Sequence, residues 1–292
     1  MKLKSDSVAA PIAVLIAAMV CFQLGATIAK GGLFPAVGAS GTTALRLALS
    51  ALMLLAVWRP WRLRLNVREI RVIVIYGAAL GWMNFFFYVS LRFIPLGVAV
   101  SLEFVGPLAL AMAASRRAID FLWIFLAALG LLALLPLGLG SKQLDPAGVA
   151  CGLAAGACWA LYIHFGRKAG AAHGGQTTAL GMLIGAVMIV PIGAASAGWQ
   201  LLSPAILPAA IGVALLSSAI PYSLEMLAMP RLPTRTVGVL MSLDPALGAL
   251  AGLWFLGESL TWIQWAAIAS IMAASAGSAA TGRDAVPALL PD

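Results

Sequence analysis

Long apolar runs broken by brief polar stretches recur ten times along the 292 residues. Windows of about 20 residues, the length that crosses a bilayer core as helix, predict spans near 9–29, 37–57, 70–91, 94–115, 119–138, 147–166, 176–196, 204–227, 234–256 and 260–280. The breaks have turn chemistry, as in Gly31-Gly32, Arg59-Pro60, Gly174-Gly175, Ser203-Pro204 and Pro230-Arg231-Leu232-Pro233. None is long enough to hold a soluble domain. The first run follows Lys2 and Lys4 but is long for the apolar part of a signal peptide, so it is read as an uncleaved span.

Composition agrees with this pattern. At 62% hydrophobic and 10% charged, with a mean hydropathy of +1.02, the chain is far more apolar than a soluble domain, which is roughly half apolar and about a quarter charged. The fold class expected is an all-α membrane protein of ten transmembrane helices. A net charge of +8 would suggest nucleic acid in a soluble protein. Here the basic residues sort by side of the membrane instead. With the N-terminus inside, fourteen of the 18 Lys and Arg fall in cytoplasmic breaks, Lys30, Arg92 and Lys142 fall outside, and Arg46 lies within span 2. That bias predicts both termini in the cytoplasm and assigns the basicity to orientation and to anionic lipid, with no nucleic-acid partner. Cys21, Cys151 and Cys158 all fall inside spans and read as small apolar fillers.

Two internal matches suggest a repeat. AAMVCFQLGATIAK from Ala17 overlays AAGACWALYIHFGRK from Ala154, aligning Cys21 with Cys158 and Lys30 with Arg167. FIPLGVAVSLEFVGPLAL (93–110) overlays RLPTRTVGVLMSLDPALG (231–248), aligning Pro95 with Pro233 and Pro107 with Pro245. Two five-helix halves, 1–140 and 141–292, are the expected domains. Five is odd, so the second half enters the membrane upside down; the basic turn Ser115-Arg116-Arg117 corresponds to the acidic Gly257-Glu258-Ser259. Inverted repeats are the architecture of alternating-access carriers, with substrate bound near the midplane between the halves. Glycines four apart, such as Gly77 and Gly81 or Gly181 and Gly185, predict close helix packing within one chain.

Charges inside the apolar runs are the candidate chemistry. Glu103 is the one charged residue between Arg92 and Arg116, roughly 13 Å from the outer end of its span by helical rise. An acid at that depth carries substrate, ion or proton, or forms a static pair, for which Arg46 is the sequence partner. Pro107, four residues on, removes the hydrogen bond to the Glu103 carbonyl and predicts a kink. Pro245 is its repeat mate, with Asp244 just before it. Arg46 lies about one turn inside the outer end of span 2, where it either snorkels to the interface or binds a carboxylate. Asn84 and Tyr88, at i and i+4 on span 3, face a polar solute together. Tyr222 and Glu225 occupy the matching place on span 8, Glu225 nearer the cytoplasm and within reach of Arg231 or Arg235. Trp159 and Tyr162 on span 6 complete the set. No H-E-x-x-H, G-x-S-x-G or P-loop pattern occurs, and only His164 and His173 are present, so neither an enzyme, a cofactor nor a metal site is expected.

PLGVAVSLEFVGPLA, the RLPTRTVG turn, LGESLT, SRRAIDFLW and PYSLEMLAMPRLPTRTVGVLMSLDPAL resemble the EamA-type branch of the bacterial drug/metabolite transporter superfamily, and within it the exporters of small amino acids. The resemblance, which runs over nearly the whole chain, implies an inner-membrane secondary exporter moving threonine, homoserine or similar amino acids outward in exchange for protons. Glu103 is then the proton or ammonium site, Asn84, Tyr88 and Tyr222 hydrogen-bond substrate, and Arg46 takes its carboxylate. Where the family has Glu-Pro on span 9, this chain has Asp244-Pro245, one methylene shorter, which bears on selectivity. A broader drug or metabolite exporter of the same fold is the alternative, and a channel the third.

Overall fold

In the computed structural model, residues 9–113, 118–134, 144–228, 231–232 and 234–281 are described. Helix α1 (Ala9–Ile28) runs through a π turn (Ala29–Leu33) into α2 (Phe34–Trp58), followed by α3 (Val67–Ser90), α4 (Leu96–Ala113) and α5 (Ala118–Leu134). Next come α6 (Pro146–His173) and α7 (Gly175–Ala197). Two interrupted segments follow: α8 (Leu207–Ala214), a π turn (Leu215–Ala219) and α9 (Ile220–Ala228), then α10 (Thr234–Met241) and α11 (Asp244–Leu256). Helix α12 (Trp262–Thr281) completes the described chain, and no strand occurs among the described residues. The turn Ser115-Arg116-Arg117, Lys142 and both chain ends lie outside them.

Among the described residues, six helical stretches are long and apolar enough to cross a membrane: Ala9–Trp58, Val67–Ser90, Pro146–Gly166, Gly175–Leu202, Leu207–Glu225 and Thr236–Leu256. Leu96–Leu110 and Phe121–Leu134 are shorter apolar helices. The chain is a multi-pass, all-helical membrane protein. Large apolar side chains such as Leu52, Phe121, Phe125, Val187 and Trp254 are exposed on its surface, as a protein solvated by lipid requires, while backbone polar groups are satisfied within helices.

One boundary differs from the sequence pattern. Gly31-Gly32 was expected to end the first span, but it lies inside the π turn, where the helix widens without stopping. The break falls at Gly38, whose φ of 65° and ψ of 178° are open to glycine at little cost. At the next turn the capping follows the sequence closely: Asn66 Oδ1 accepts from the Glu69 amide at 2.9 Å and Glu69 Oε2 accepts from the Asn66 amide at 2.8 Å, a capping box that starts α3.

Small residues set the helix contacts that surround the interior. A Cβ on Gly81 would lie 2.7 Å from Gly185 Cα, and one on Gly77 would lie 2.9 Å from the Gly181 carbonyl, so α3 and α7 meet backbone to backbone. Gly156 of α6 abuts α4 in the same way, its Cβ position 2.6 Å from the Glu103 carbonyl. The spaced glycines thus pack helices of one chain, as expected. Helix α4 also packs along α11, α5 along α12, α2 along α7, and α1 along α9.

Candidate functional site

Polar side chains that the sequence scatters over six helices converge in the interior. Arg46 of α2 is fully buried, not snorkelling. Its neighbours Thr42 and Thr43 satisfy their own hydroxyls on the Gly38 and Ala39 carbonyls at 2.7 and 2.8 Å and leave Arg46 to the interior. The guanidinium donates through Nη1 to Asn84 Oδ1 of α3 and through Nη2 to the Ser217 carbonyl at 2.5 Å. It also lies over the rings of Phe22 (5.3 Å) and Tyr88 (5.1 Å). Nε finds no hydrogen-bond partner among the described residues.

The π turn explains why a backbone carbonyl is free to meet Arg46. Widening of the helix over Leu215–Ala219 takes carbonyls out of the regular ladder, and such bulges recur at functional sites. Gly25 of α1 allows the approach, since a Cβ there would fall 2.8 Å from the Ser217 amide. Tyr88 adds a hydroxyl donated to Ser217 Oγ at 3.4 Å, and Asn84 Nδ2 donates to the Leu80 carbonyl at 2.8 Å. Asn84 and Tyr88, expected to face substrate, therefore have their polar atoms engaged by Arg46, Ser217 and Leu80 in this structure.

Three acids approach the same region. Glu103 is buried on α4, within electrostatic reach of Arg46 and Asp244. The static Arg46–Glu103 pair is not formed: Lys30–Glu258 is the ion pair found among the described residues. Asp244 opens α11 at the interruption Ser242-Leu243, with Pro245 in the first turn. Pro107, aligned with Pro245 in the internal sequence match, instead sits inside an uninterrupted α4. Gln23 of α1 donates Nε2 to Asp244 Oδ1 at 3.0 Å. Glu225 of α9 is within electrostatic reach of Asp244, and Tyr222 of Arg46, Glu103 and Glu225. No pairing of Glu225 with Arg231 is found, and the Arg235 side chain lies outside the described residues. On α6, Trp159 meets Phe104 edge-on at 5.4 Å, and Tyr162 stacks on Tyr76 at 4.9 Å. His164 is exposed. No group of three His, Cys, Asp or Glu suited to a metal is found among the described residues.

Above this cluster a cavity of about 580 Å³ opens beside Lys30, Phe34, Gly38, Leu91, Arg92 and Gln200. Phe34 tilts against Tyr88 with centroids 6.1 Å apart, so the rings of Phe34 and Tyr88 lie between cavity and cation. Lys30 closes the flank of that end: Nζ lies 2.6 Å from Glu258 Oε1 and donates to the Ile94 carbonyl at 2.9 Å, while Glu258 Oε2 accepts the Leu96 amide at 2.8 Å. Gln23, Ser217 and Glu258 were not anticipated as partners. Gln23, a polar amide in an apolar run, is the one whose position in the sequence was a signal.

Comparison with known proteins bears directly on what such a site serves. The EamA-like transporter family model matches residues 146–279. The chain is 55% identical over 273 residues to the threonine/homoserine exporter RhtA of Salmonella typhimurium strain LT2, covering 94% of this chain and 92% of that protein. It is 54% identical over the same length, with the same coverage, to threonine/homoserine exporter RhtA of Escherichia coli strain K12. A crystal structure with 18% identity is similar at a TM-score of 0.57, covering 93% of this chain and 97% of that one, a likeness of fold. These relatives are transporters rather than enzymes, and at this identity and coverage the chain belongs to the EamA-like transporter family of the drug/metabolite transporter superfamily.

Proposed function

We propose that this protein is a secondary active exporter of small neutral amino acids of the threonine and homoserine kind, working across the bacterial inner membrane with both termini in the cytoplasm. The observation that carries the substrate class is the 54–55% identity, over 94% of the chain, to exporters of those two amino acids. The interior supports it chemically. A zwitterion needs a buried donor for its carboxylate and buried acceptors for its ammonium. Arg46 Nε is a donor without a partner among the described residues, and Glu103, Asp244 and Glu225 are the acceptors.

Ten spans in two inverted halves, 1–140 and 141–292, fit the helix order, with α8–α9 and α10–α11 each taken as one interrupted span. Support comes from the packing: α2 lies along α7, α4 along α11 and α5 along α12, each helix on its own repeat mate, while α3 on α6 mirrors α9 on α1. The cavity near Lys30 and Arg92 is then an outer vestibule. Glu103 exchanges the coupling proton, and rocking of the halves gives alternating access.

Purified protein in proteoliposomes tests the function. Internal labelled threonine should leave faster when unlabelled threonine or homoserine is added outside, and a pH gradient alone should drive accumulation. Transport of unrelated drugs at equal efficiency would favour the broader exporter, and efflux insensitive to external substrate would favour a channel.

A further inference from the structure

Gln23 is 2% exposed, and its side-chain carbonyl oxygen has no hydrogen-bond partner among the described residues. A buried, unanswered acceptor is costly, and native interiors rarely keep one without use. The other end of the amide is committed, since Nε2 donates to Asp244 Oδ1 at 3.0 Å. That bond fixes which way the amide faces, because a carboxylate oxygen accepts from N–H and gives nothing to a carbonyl.

The place of the free oxygen is as informative as its being free. A Cβ on Gly248 would lie 3.2 Å from Gln23 Oε1 and 3.0 Å from Val100 Cγ2. Gly248 is one turn after Asp244 on α11, and Val100 is one turn before Glu103 on α4. The oxygen therefore sits between α1, α4 and α11, a helical turn from each of two acids. Gly248 leaves room for it. On the adjacent position of α1, the Phe22 ring carries the Arg46 cation. Neighbouring residues of one helix thus touch the cation on one side and an acid on the other.

We propose that Gln23 forms the ammonium subsite with Asp244 and Glu103: its N–H holds Asp244 in place, and its carbonyl is the third acceptor for a primary ammonium group. An ammonium has three donors and no acceptor, and two carboxylates plus an amide carbonyl match it. A group with no donor leaves the three acceptors unanswered, a hydroxyl answers one at most, and a second carboxylate is repelled. The subsite thus selects amino acids over other small carboxylates. This inference rests on the amino-acid export proposed above and adds a residue and a selectivity to it.

The test uses the full chain in proteoliposomes, with labelled threonine and, as competitor, 2,3-dihydroxybutanoate, which is threonine with hydroxyl in place of ammonium. Gln23→Met keeps the length of the side chain and removes both bonds. The half-saturating threonine concentration should rise about ten-fold or more, the size expected for a hydrogen bond to a charged group. The maximal rate should stay within about three-fold. The preference for threonine over the competitor should contract by a similar factor. Gln23→Asn, one methylene shorter, should act in the same direction and serves if Gln23→Met folds poorly. An unchanged half-saturating concentration in the folded variants overturns the subsite. So does an equal loss for threonine and competitor accompanied by a lower melting point in detergent, which marks a structural role. Failure of the unmodified protein to carry threonine or homoserine is a separate outcome: it sinks the export reading itself.

Discussion

Replacing Arg46 by methionine separates its two possible roles, support and recognition. The guanidinium is fully buried and bonds Asn84 Oδ1 and the Ser217 carbonyl, and no carboxylate among the described residues forms an ion pair with it. Removing it strands two acceptors, at about 1–3 kcal/mol each, so roughly 2–6 kcal/mol is lost. Against this, methionine fills similar volume without a desolvated charge, and relief of that penalty is also worth several kcal/mol. The two nearly cancel. Arg46→Met should therefore be recovered folded, with stability within about 2 kcal/mol of the parent.

Transport should not survive so well. A substrate carboxylate that meets Arg46 loses a charge-assisted hydrogen bond worth about 1.5–3 kcal/mol, which raises the half-saturating concentration roughly 10- to 150-fold. Arg46→Lys retains the charge without the planar fork and should fall between the two. Melting in detergent and threonine counterflow on the same preparations give both readouts. A folded Arg46→Met with the parental half-saturating concentration would refute the carboxylate role. An unfolded one would show that the stranded Asn84 and Ser217 acceptors outweigh the relief.

Other sites give independent checks. Glu103→Gln keeps size and hydrogen bonding but cannot titrate, so accumulation driven by a pH gradient should collapse while counterflow persists at a raised half-saturating concentration; parental pH-driven uptake would leave Glu103 a structural acid. Gly156→Ala would set a Cβ 2.6 Å from the Glu103 carbonyl and 3.1 Å from that of Leu102, backbone atoms that yield poorly, so a loss of about 1–3 kcal/mol is expected, read as a lower melting point. In a cysteine-free background, Gln200→Cys should react with an impermeant thiol reagent added outside intact cells and Arg64→Cys should not, both residues being exposed; labelling at position 64 would overturn the orientation.

Apolar runs and intramembrane charges made much of this molecule legible from sequence, because each depends on a residue and its immediate neighbours. The helices fall where the runs fall, and Arg46, Glu103, Asp244 and Glu225 stood out as charges in apolar surroundings. What escaped was partnership. Arg46 and Glu103 were the natural pair by charge, yet Arg46 is held by an amide and a backbone carbonyl. That carbonyl is available because of a π turn over Leu215–Ala219, and a π turn has no signature in Leu-Leu-Ser-Ser-Ala comparable to the proline and glycine marks of an ordinary break. Likewise Gly31-Gly32 reads as a loop by composition, but the chain satisfies its backbone there by widening the helix and turns at Gly38 instead.

The mismatch between charges and partners is itself informative. A buried guanidinium whose Nε–H, and a buried amide whose carbonyl, have no partner among the described residues, together with interior acids that form no ion pair among them, would make a poor structural core, because each unanswered group costs free energy that apolar packing would avoid. A core selected for stability alone would pair Arg46 with Glu103 or replace both. On the proposed export reading, keeping donor and acceptors apart leaves a site whose missing partners have the polarity of a zwitterion. A substrate carried in this way would also have to leave at the other side of the membrane, so its affinity would be bounded: the site would hold it tightly enough to select it and loosely enough to release it. On that reading, incomplete internal pairing is the expected signature of a carrier, because each group left open inside is one the substrate can answer.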